Sequence, residues 1–168
     1  MADMKKLLMF AMCFPLLGHA EWGEVERDFE ADKPWLETEA QLPAYPKAEN
    51  LLPFRVSPVS RNRYFIDSTS ISVGGDGVIR YTLVIDAAGG AKNVSFEGLR
   101  CESGEYRLYA HGHPDGTWSK ARSAGWAAIK FRSQLSYQKA LFEEHFCPDG
   151  LSVRNSQEAI ARLRQAAR

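Results

Sequence analysis

The segment DGVIRYTLVIDAAGGAKNVSFEGLRCESGEYRLYAH, residues 76–111, decides the fold of this chain. It contains three runs in which apolar and polar residues alternate, and alternation with a period of two predicts half-buried β-strands. Short glycine-bearing turns at residues 88–90 and 102–104 separate the runs. Because short turns join neighbouring strands in antiparallel order, we expect a meander of at least three strands.

The first of these strands, residues 78–86, has the clearest alternation. One of its faces is apolar and is expected to form the core; it carries Ile79, Tyr81, Leu83 and Ile85. The opposite face carries Arg80. In the third run, Tyr106 and Leu108 alternate with Arg107, Tyr109 and His111. A function on the sheet is therefore expected on the arginine-bearing face or at the His111 end.

Further elements flank this segment. They are a short strand at residues 53–57, a bent β-type run at 63–73, a helix over 136–146 and a final helix from Asn155 or Ser156, with Glu158 as capping-box partner. Residues 118–129 fit either an irregular segment or a short helix. The pattern predicts an α+β fold in which an antiparallel β-meander sheet packs against C-terminal helices.

The N-terminus, residues 1–20, has the three parts of a secretory signal. Lys5 and Lys6 form a basic region, an apolar run follows, and Gly18 and Ala20 supply small residues. We therefore expect a cleavable signal peptide that ends at Ala20, and export to the periplasm.

Two other uses of this N-terminus are less favoured. The apolar run over residues 7–17 is shorter than the roughly 20 residues that span a bilayer, so a permanent anchor is not expected. Lipidation at Cys13 is a less favoured alternative, because Met12 stands where lipoproteins carry a small residue.

Cleavage would leave two cysteines, Cys101 and Cys147, in an oxidising compartment. We expect them to pair, which would close a loop of about 46 residues and contribute about 4 kcal/mol in the chain-entropy model. A redox or nucleophilic thiol is the alternative, although neither cysteine belongs to a C-x-x-C pair.

The charge of the mature chain excludes one class of partner. Of 21 basic and 21 acidic residues, cleavage removes two lysines and one aspartate, which leaves 19 against 20 and a net charge of −1. Nucleic-acid binding by counterion release needs a clustered basic surface, so no nucleic-acid partner is expected.

Residues 21–50 form an acidic arm with nine acidic residues, three basic residues and three prolines. Its aromatic residues include Trp22, Phe29 and Trp35, which a disordered tail would rarely retain. We expect an extended, partly irregular arm that packs through these aromatic residues onto a single α+β domain formed by residues 51–168.

Seven short motifs occur in a fixed order along the chain. They are FRVS (54–57), RYFID (63–67), DGVIRYTLVI (76–85), NVSFEGLRC (93–101), YRLYA (106–110), DGTW (115–118) and FCP (146–148). Together they resemble the CNP-like family of uncharacterised exported proteins from neisserial and related bacteria. The resemblance implies export and transfers no catalytic or ligand residue.

A first candidate site lies at the end of the third run, where His111, His113 and Asp115 follow one another closely. Two imidazoles two residues apart on a strand point to the same side, and a nearby carboxylate could complete a metal site. The same residues also fit an ordinary turn with solvated histidines. Glu144 or His145 could add a ligand only if the fold brings them near.

A second candidate site is a row of charged residues on the sheet: Arg80, Arg100 and Arg107 with Glu97 and Glu105. The simpler interpretation is cross-strand pairing, which contributes a few tenths to about 1 kcal/mol per pair. If the arginines converge in a concavity floored by Tyr81, Tyr106 or Tyr109, bidentate contacts would suit a carboxylate or phosphate group. The predicted ligand-binding set is Arg80, Arg100, Arg107, Glu97, Tyr81 and Tyr109.

These features favour a non-enzymatic envelope protein that binds another envelope protein or a small anionic ligand. No catalytic residue or cofactor is predicted, since the chain lacks a nucleophile elbow, an H-E-x-x-H motif, a phosphate-binding loop and a dinucleotide fingerprint. The alternative is a small periplasmic hydrolase, in one version metal-assisted, that uses the first candidate site with Glu97 or His145. Peripheral association with the outer membrane is less favoured.

Overall fold

The computed structural model describes residues 34–122 and 125–166. The expected signal peptide, with its cleavage point and Cys13, and the first part of the acidic arm lie outside the described residues. So do two of the three aromatic residues on which the packing of the arm was predicted, Trp22 and Phe29.

In the described part of the chain, eight strands form one antiparallel sheet. Their order is β1-β2-β4-β5-β6-β7, while β3 pairs with β4 beside β2, and β8 pairs with β6 beside β7. The strands are β1 (Leu51–Phe54), β2 (Arg63–Asp67), β3 (Ser72–Val73), β4 (Val78–Asp86), β5 (Lys92–Arg100), β6 (Glu105–Gly112), β7 (Trp118–Lys120) and β8 (Ala127–Ala128).

The central strands β4, β5 and β6 form the predicted meander. β4 and β5 pair over their whole length, from Val78 opposite Arg100 to Asp86 opposite Lys92. The turns that join the strands contain Gly90 and Gly104, whose φ angles of 87° and 62° lie in the left-handed region that glycine tolerates. The antiparallel meander is therefore confirmed.

A β-bulge interrupts the pairing of β5 with β6. Phe96 is opposite Ala110 and Glu97 is opposite Leu108, so Tyr109 is the extra residue. Beyond the bulge, His111 pairs with Ser95, on the face of β5 that also carries Glu97. The expected alternation of Arg107, Tyr109 and His111 on one face is thus wrong at His111, because the inserted residue shifts the register.

The helices follow the sheet in the chain. α1 (Tyr137–Ala140) continues as a π-helical segment (Leu141–Phe146), a 3-10 turn (Pro148–Gly150) follows, and α2 (Ser156–Ala166) ends the described residues; a further 3-10 turn (Ala48–Asn50) precedes β1. The Ser136 hydroxyl caps α1 by accepting from the backbone N–H of Lys139 at 3.2 Å. The region predicted as one helix therefore lies where expected but changes its helix type.

The N-terminus of α2 departs from the expected capping box. Asn155 Oδ1 accepts from the backbone N–H of Glu158 at 3.0 Å, as predicted. The Glu158 carboxylate, however, accepts from the backbone N–H of Arg154, one residue earlier than the expected partner.

The core lies between the helices and one face of the sheet. Its fully buried members are apolar residues of both layers, among them Ile79, Leu83, Leu99, Leu141 and Leu163. Tyr81 and Phe146 bring the layers together, with ring centroids 5.1 Å apart. The apolar face of β4 thus forms the core as predicted, with Ile85 at its margin.

The predicted disulfide joins the end of β5 to the helical layer. Cys101 and Cys147 are bonded across 46 residues, with Cα atoms 5.4 Å apart, and both residues are buried. The predicted α+β architecture, with a disulfide between the sheet and the helical layer, is confirmed. Among the described residues, no helix has both the length and the apolar character required to cross a membrane.

Residues 35–47 of the acidic arm form neither helix nor strand. They contact the face of the sheet opposite the core: the Trp118 indole N–H donates to the Pro43 carbonyl at 3.1 Å, and the Tyr45 ring lies 5.6 Å from the Trp118 ring. As a result Arg80, on this second face of β4, is buried as well.

Candidate carboxylate-binding site

The second face of the sheet carries a cross-strand row in which Gly98 is flanked by Arg80 and Arg107. The glycine leaves room for the Tyr109 side chain, since a Cβ atom at Gly98 would lie 2.6 Å from the Tyr109 hydroxyl oxygen. The guanidinium carbons of Arg80 and Arg107 lie 5.8 and 5.4 Å from the centre of the Tyr109 ring. The bulge, which places Tyr109 on this face, therefore brings a phenol and two cations together.

The residue opposite this row is Glu37 of the arm. Its carboxylate accepts a hydrogen bond from the Tyr109 hydroxyl at 2.6 Å and one from Arg107 Nη1. The indole N–H of Trp126 donates to it at 3.1 Å, and Arg80 Nη2 lies 3.7 Å away. We call these four partners, Arg80, Arg107, Tyr109 and Trp126, the Glu37 cradle.

The proton of the Tyr109 hydroxyl is firmly held. Burial and the hydrogen bond to Glu37 both raise the pKa of Tyr109, and they outweigh the opposing effect of the neighbouring arginines. The phenol therefore acts as a hydrogen-bond donor, and the cradle presents donors and positive charge to a single carboxylate.

Asp76, in the turn before β4, orients Arg80. Its carboxylate accepts from Arg80 Nη2 at 2.6 Å and Nη1 at 3.2 Å, while a second bond from Nη2 reaches the Thr38 carbonyl at 2.7 Å. The backbone N–H of Thr38 donates to the same aspartate at 2.8 Å. Asp76 and Arg80 thus hold the backbone of the arm immediately after Glu37.

A second pocket holds Trp35, two residues before Glu37. The guanidinium of Arg100 stacks over the indole at 3.8 Å, and the Trp126 ring meets it edge-on at 5.8 Å. The Trp35 indole N–H also donates to the Asp76 carbonyl at 2.9 Å. Arg100, Trp126 and Asp76 therefore contact the Trp35 indole beside the Glu37 carboxylate.

An open groove of about 300 Å³ adjoins the cradle. It lies between the arm and strands β6 and β7, and its lining includes Glu37, Leu42, Arg107, Tyr109 and Lys120. The side chain of Arg107 remains 27% exposed there. One guanidinium of the cradle is thus accessible from solvent while it contacts Glu37.

The predicted ligand-binding set is divided between the two faces of the sheet. Arg80, Arg107 and Tyr109 converge as described, and Arg100 belongs to the Trp35 pocket. Tyr81 and Glu97 lie on the core face instead, where Glu97 accepts from the hydroxyls of Ser95, Tyr137 and Tyr81 at 2.7, 3.0 and 3.3 Å. Burial raises the pKa of this carboxyl, against the effect of these hydrogen bonds.

The remaining charges of the row have simpler roles. Arg100 and Glu105 are cross-strand partners whose charged atoms lie 3.8 Å apart, as in an ordinary cross-strand ion pair. Tyr106 packs at the margin of the core.

The first candidate site has no metal-binding geometry. Asp115 accepts from the backbone N–H and hydroxyl of Thr117 at 3.0 and 2.7 Å, as in an ordinary turn. His145 is fully buried and faces the Phe54 ring at 5.9 Å. Within residues 34–122 and 125–166, no three or more His, Cys, Asp or Glu side chains could jointly hold a metal ion.

Sequence reasoning missed Glu37, Asp76, Trp35 and Trp126 as site residues. Apart from the nearby bonds of Asp76 to Arg80 and Val78, their contacts span between 38 and 91 residues of chain, and no local pattern reports contacts at that range. One signal was available: an acidic arm precedes a sheet that was expected to expose several arginines on one face. Charge complementarity between the two could have indicated that they meet.

Comparison with known proteins gives a family and nothing finer. No curated protein and no solved structure matches the chain significantly. The model of the CNP1-like family matches residues 30–164, which include the Glu37 cradle, the Trp35 pocket and both cysteines. This chain therefore belongs to the CNP1-like family.

Proposed function

We propose that this protein is a non-enzymatic, exported binding module of the periplasm, and that it binds a carboxylate group of another envelope protein at the Glu37 cradle and the adjoining groove. The observation that carries the proposal is the convergence of Arg80, Arg107, Tyr109 and Trp126 on one carboxylate. A small anionic ligand would use the same chemistry.

The chemistry of the cradle suits recognition. Hydrogen bonds from arginine to carboxylate are charge-assisted and about twice as strong as neutral ones, and the planar guanidinium fixes their direction. Among the described residues, the Nε atoms of Arg80 and Arg107 are buried and have no hydrogen-bond partner. The cradle therefore holds donors that Glu37 does not use.

Export is supported by the signal-like residues 1–20 and by the disulfide between Cys101 and Cys147. Structural disulfides persist in oxidising compartments such as the periplasm. Release of the mature chain by osmotic shock, with Glu21 as its first residue, is the expected result. Retention of the whole chain in the cytoplasm would contradict this part of the proposal.

Photocrosslinking in intact cells tests the binding function. A photoreactive residue in place of Leu42, which lines the groove, should crosslink to a discrete envelope protein. Leu151 is 72% exposed and does not line the groove, so the same residue placed there is the control. The adduct at position 42 should disappear with Arg107→Gln. Absence of an adduct, or an adduct unaffected by Arg107→Gln, would contradict the function.

A further inference from the structure

The geometry points to a more specific ligand, and the inference rests on the proposed function because it uses the same cradle. We infer that this face of the sheet is a peptide groove whose ligand is an extended segment with an aromatic residue two positions before a glutamate. In the structure, residues 35–38 of the arm occupy this part of the sheet face, beside the open groove, as an internal copy of that ligand.

The first support is that the arm is bound as a peptide is bound. Residues 34–47 form no helix or strand, so no sheet ladder holds them. Side chains of the sheet and its turns reach the arm backbone instead: Asp76 binds the Thr38 N–H, and Arg80 binds the Thr38 carbonyl. A bound peptide could make both contacts whatever its side chains are.

The second support is the alternation of bound and free side chains. In an extended chain, residues i and i+2 share one side. Trp35 and Glu37 both contact the sheet face, with Trp35 37% exposed, whereas Leu36 between them is 80% exposed. Side-chain contacts at alternate positions next to fixed backbone contacts, here at Thr38, are typical of the recognition of extended peptides.

The third support is that the internal copy and a separate peptide would compete. A tethered segment acts at an effective concentration of about millimolar, so a free ligand must exceed that to displace it. Weakening the arm should therefore expose the groove. The variant Trp35→Ala/Glu37→Ala removes both side chains that fill the pockets and leaves every residue of the cradle in place.

The test uses the full chain and a labelled peptide with the sequence of residues 34–41, PWLETEAQ. Fluorescence anisotropy should show that the double variant binds this peptide at least about 10-fold more tightly than the wild-type chain does. A peptide with Gln in place of its first Glu should bind at least about 10-fold more weakly. Each 10-fold change corresponds to about 1.4 kcal/mol.

A matched control keeps the comparison specific to the pockets. Leu36→Ala/Glu49→Ala changes two exposed residues of the arm that do not line the groove, and this variant should bind the peptide no better than the wild type. Because the double variant could fail to fold, a second variant, Glu37→Gln, removes only the charge that Glu37 places in the cradle. It should also bind the peptide more tightly than the wild type does. Equal affinity of the wild type and both opened variants, or no binding by a folded variant, would overturn the inference.

The crosslinked partner supplies the second arm of the test. Its crosslinked segment should contain an aromatic residue two positions before a glutamate, and Glu→Gln there should abolish the adduct at position 42. An adduct that depends on Arg107 but comes from a segment without this pattern would overturn the inference and leave the proposed function standing. Absence of any adduct would contradict the proposed function, whatever the peptide does.

Discussion

Asp76 Oδ2 and Arg80 Nη2 lie 2.6 Å apart, with 2% and 6% of their side chains exposed. This nearly buried ion pair joins the turn before β4 to the arm, because both residues also bind the backbone of Thr38. A buried cation that loses its carboxylate becomes strongly destabilising. The pair therefore supports the site and the fold together.

The ion pair predicts acid sensitivity below pH 4. Burial raises the pKa of Asp76, but hydrogen bonds from Arg80, Thr38 and Val78 outweigh it and hold the pKa at about 2. Because the folded state lowers this pKa, the carboxylate stabilises the fold above about pH 4 and loses that effect as the pH falls to about 2. The loss should reach about 2 kcal/mol.

Urea unfolding of Asp76→Asn at different pH values checks this expectation. At neutral pH the variant should lose about 3 kcal/mol, since Arg80 keeps its buried charge without a carboxylate partner in the turn. Between pH 4 and pH 2 it should lose less further stability than the wild type. Asp86→Asn is the control, because its ion pair with Arg63 is exposed and should contribute at most about 1 kcal/mol. Parallel pH profiles for the wild type and Asp76→Asn would contradict the assignment.

Gly98 predicts a steric dependence of the cradle. A methyl group there would lie 2.6 Å from the Tyr109 hydroxyl oxygen, and Tyr109 cannot move without loss of its bond to Glu37. Gly98→Ala should therefore reduce the free energy of unfolding by about 1–3 kcal/mol, the usual cost of overpacking.

The control for Gly98→Ala is Gly89→Ala, in an open turn where an added Cβ meets no atom within 4 Å. It should change stability by at most about 0.5 kcal/mol. Chemical denaturation measures both variants. Equal stability of Gly98→Ala and the wild type would show that Tyr109 can leave its place without cost.

Local alternation was sufficient to predict the central sheet. Ile79, Tyr81 and Leu83 recur every second residue, which predicts a strand. The short glycine turns at residues 88–90 and 102–104 then require the neighbouring strands to pair in antiparallel order. The disulfide followed from the small number of cysteines in a chain expected to be exported. These features depend on short-range pattern or on composition, which a single sequence displays.

The composition of the site could not be predicted in the same way. The alternation pattern does not reveal the bulge at Tyr109, which changes the face of every later residue in β6. Glu97 and Arg107 stand near each other in the paired strands, yet they point to opposite faces of the sheet. The contacts of Glu37 depend on the path of an irregular arm, and such a path follows from tertiary packing.

The disulfide between Cys101 and Cys147 predicts a large effect of reduction. The bond closes a loop of 46 residues, for which the loss of chain entropy in the unfolded state gives about 4 kcal/mol. Thermal unfolding of the mature chain with and without reductant should show this difference. Cys101→Ala/Cys147→Ala should match the reduced protein and should not respond to reductant. Equal stability of the oxidised chain and this variant would contradict the assigned contribution of the disulfide.

His145 predicts a second pH dependence, in a range separate from that of Asp76. Burial lowers the pKa of His145 to about 4, with a smaller contribution from the charge of Arg162. Both ring nitrogens are buried without a hydrogen-bond partner among the described residues. The fold therefore holds the imidazole neutral, while the unfolded chain binds a proton below about pH 6.5.

Stability should consequently fall as the pH is lowered from about 6.5 to about 4, by about 3 kcal/mol from this residue alone. His145→Leu removes the titrating group, so its unfolding free energy should be flatter than that of the wild type across this range. His113→Leu changes an exposed histidine of the turn after β6 and should retain the wild-type slope. If His145→Leu kept the wild-type slope, the pH dependence would not come from the buried imidazole, and the assignment to His145 would be wrong.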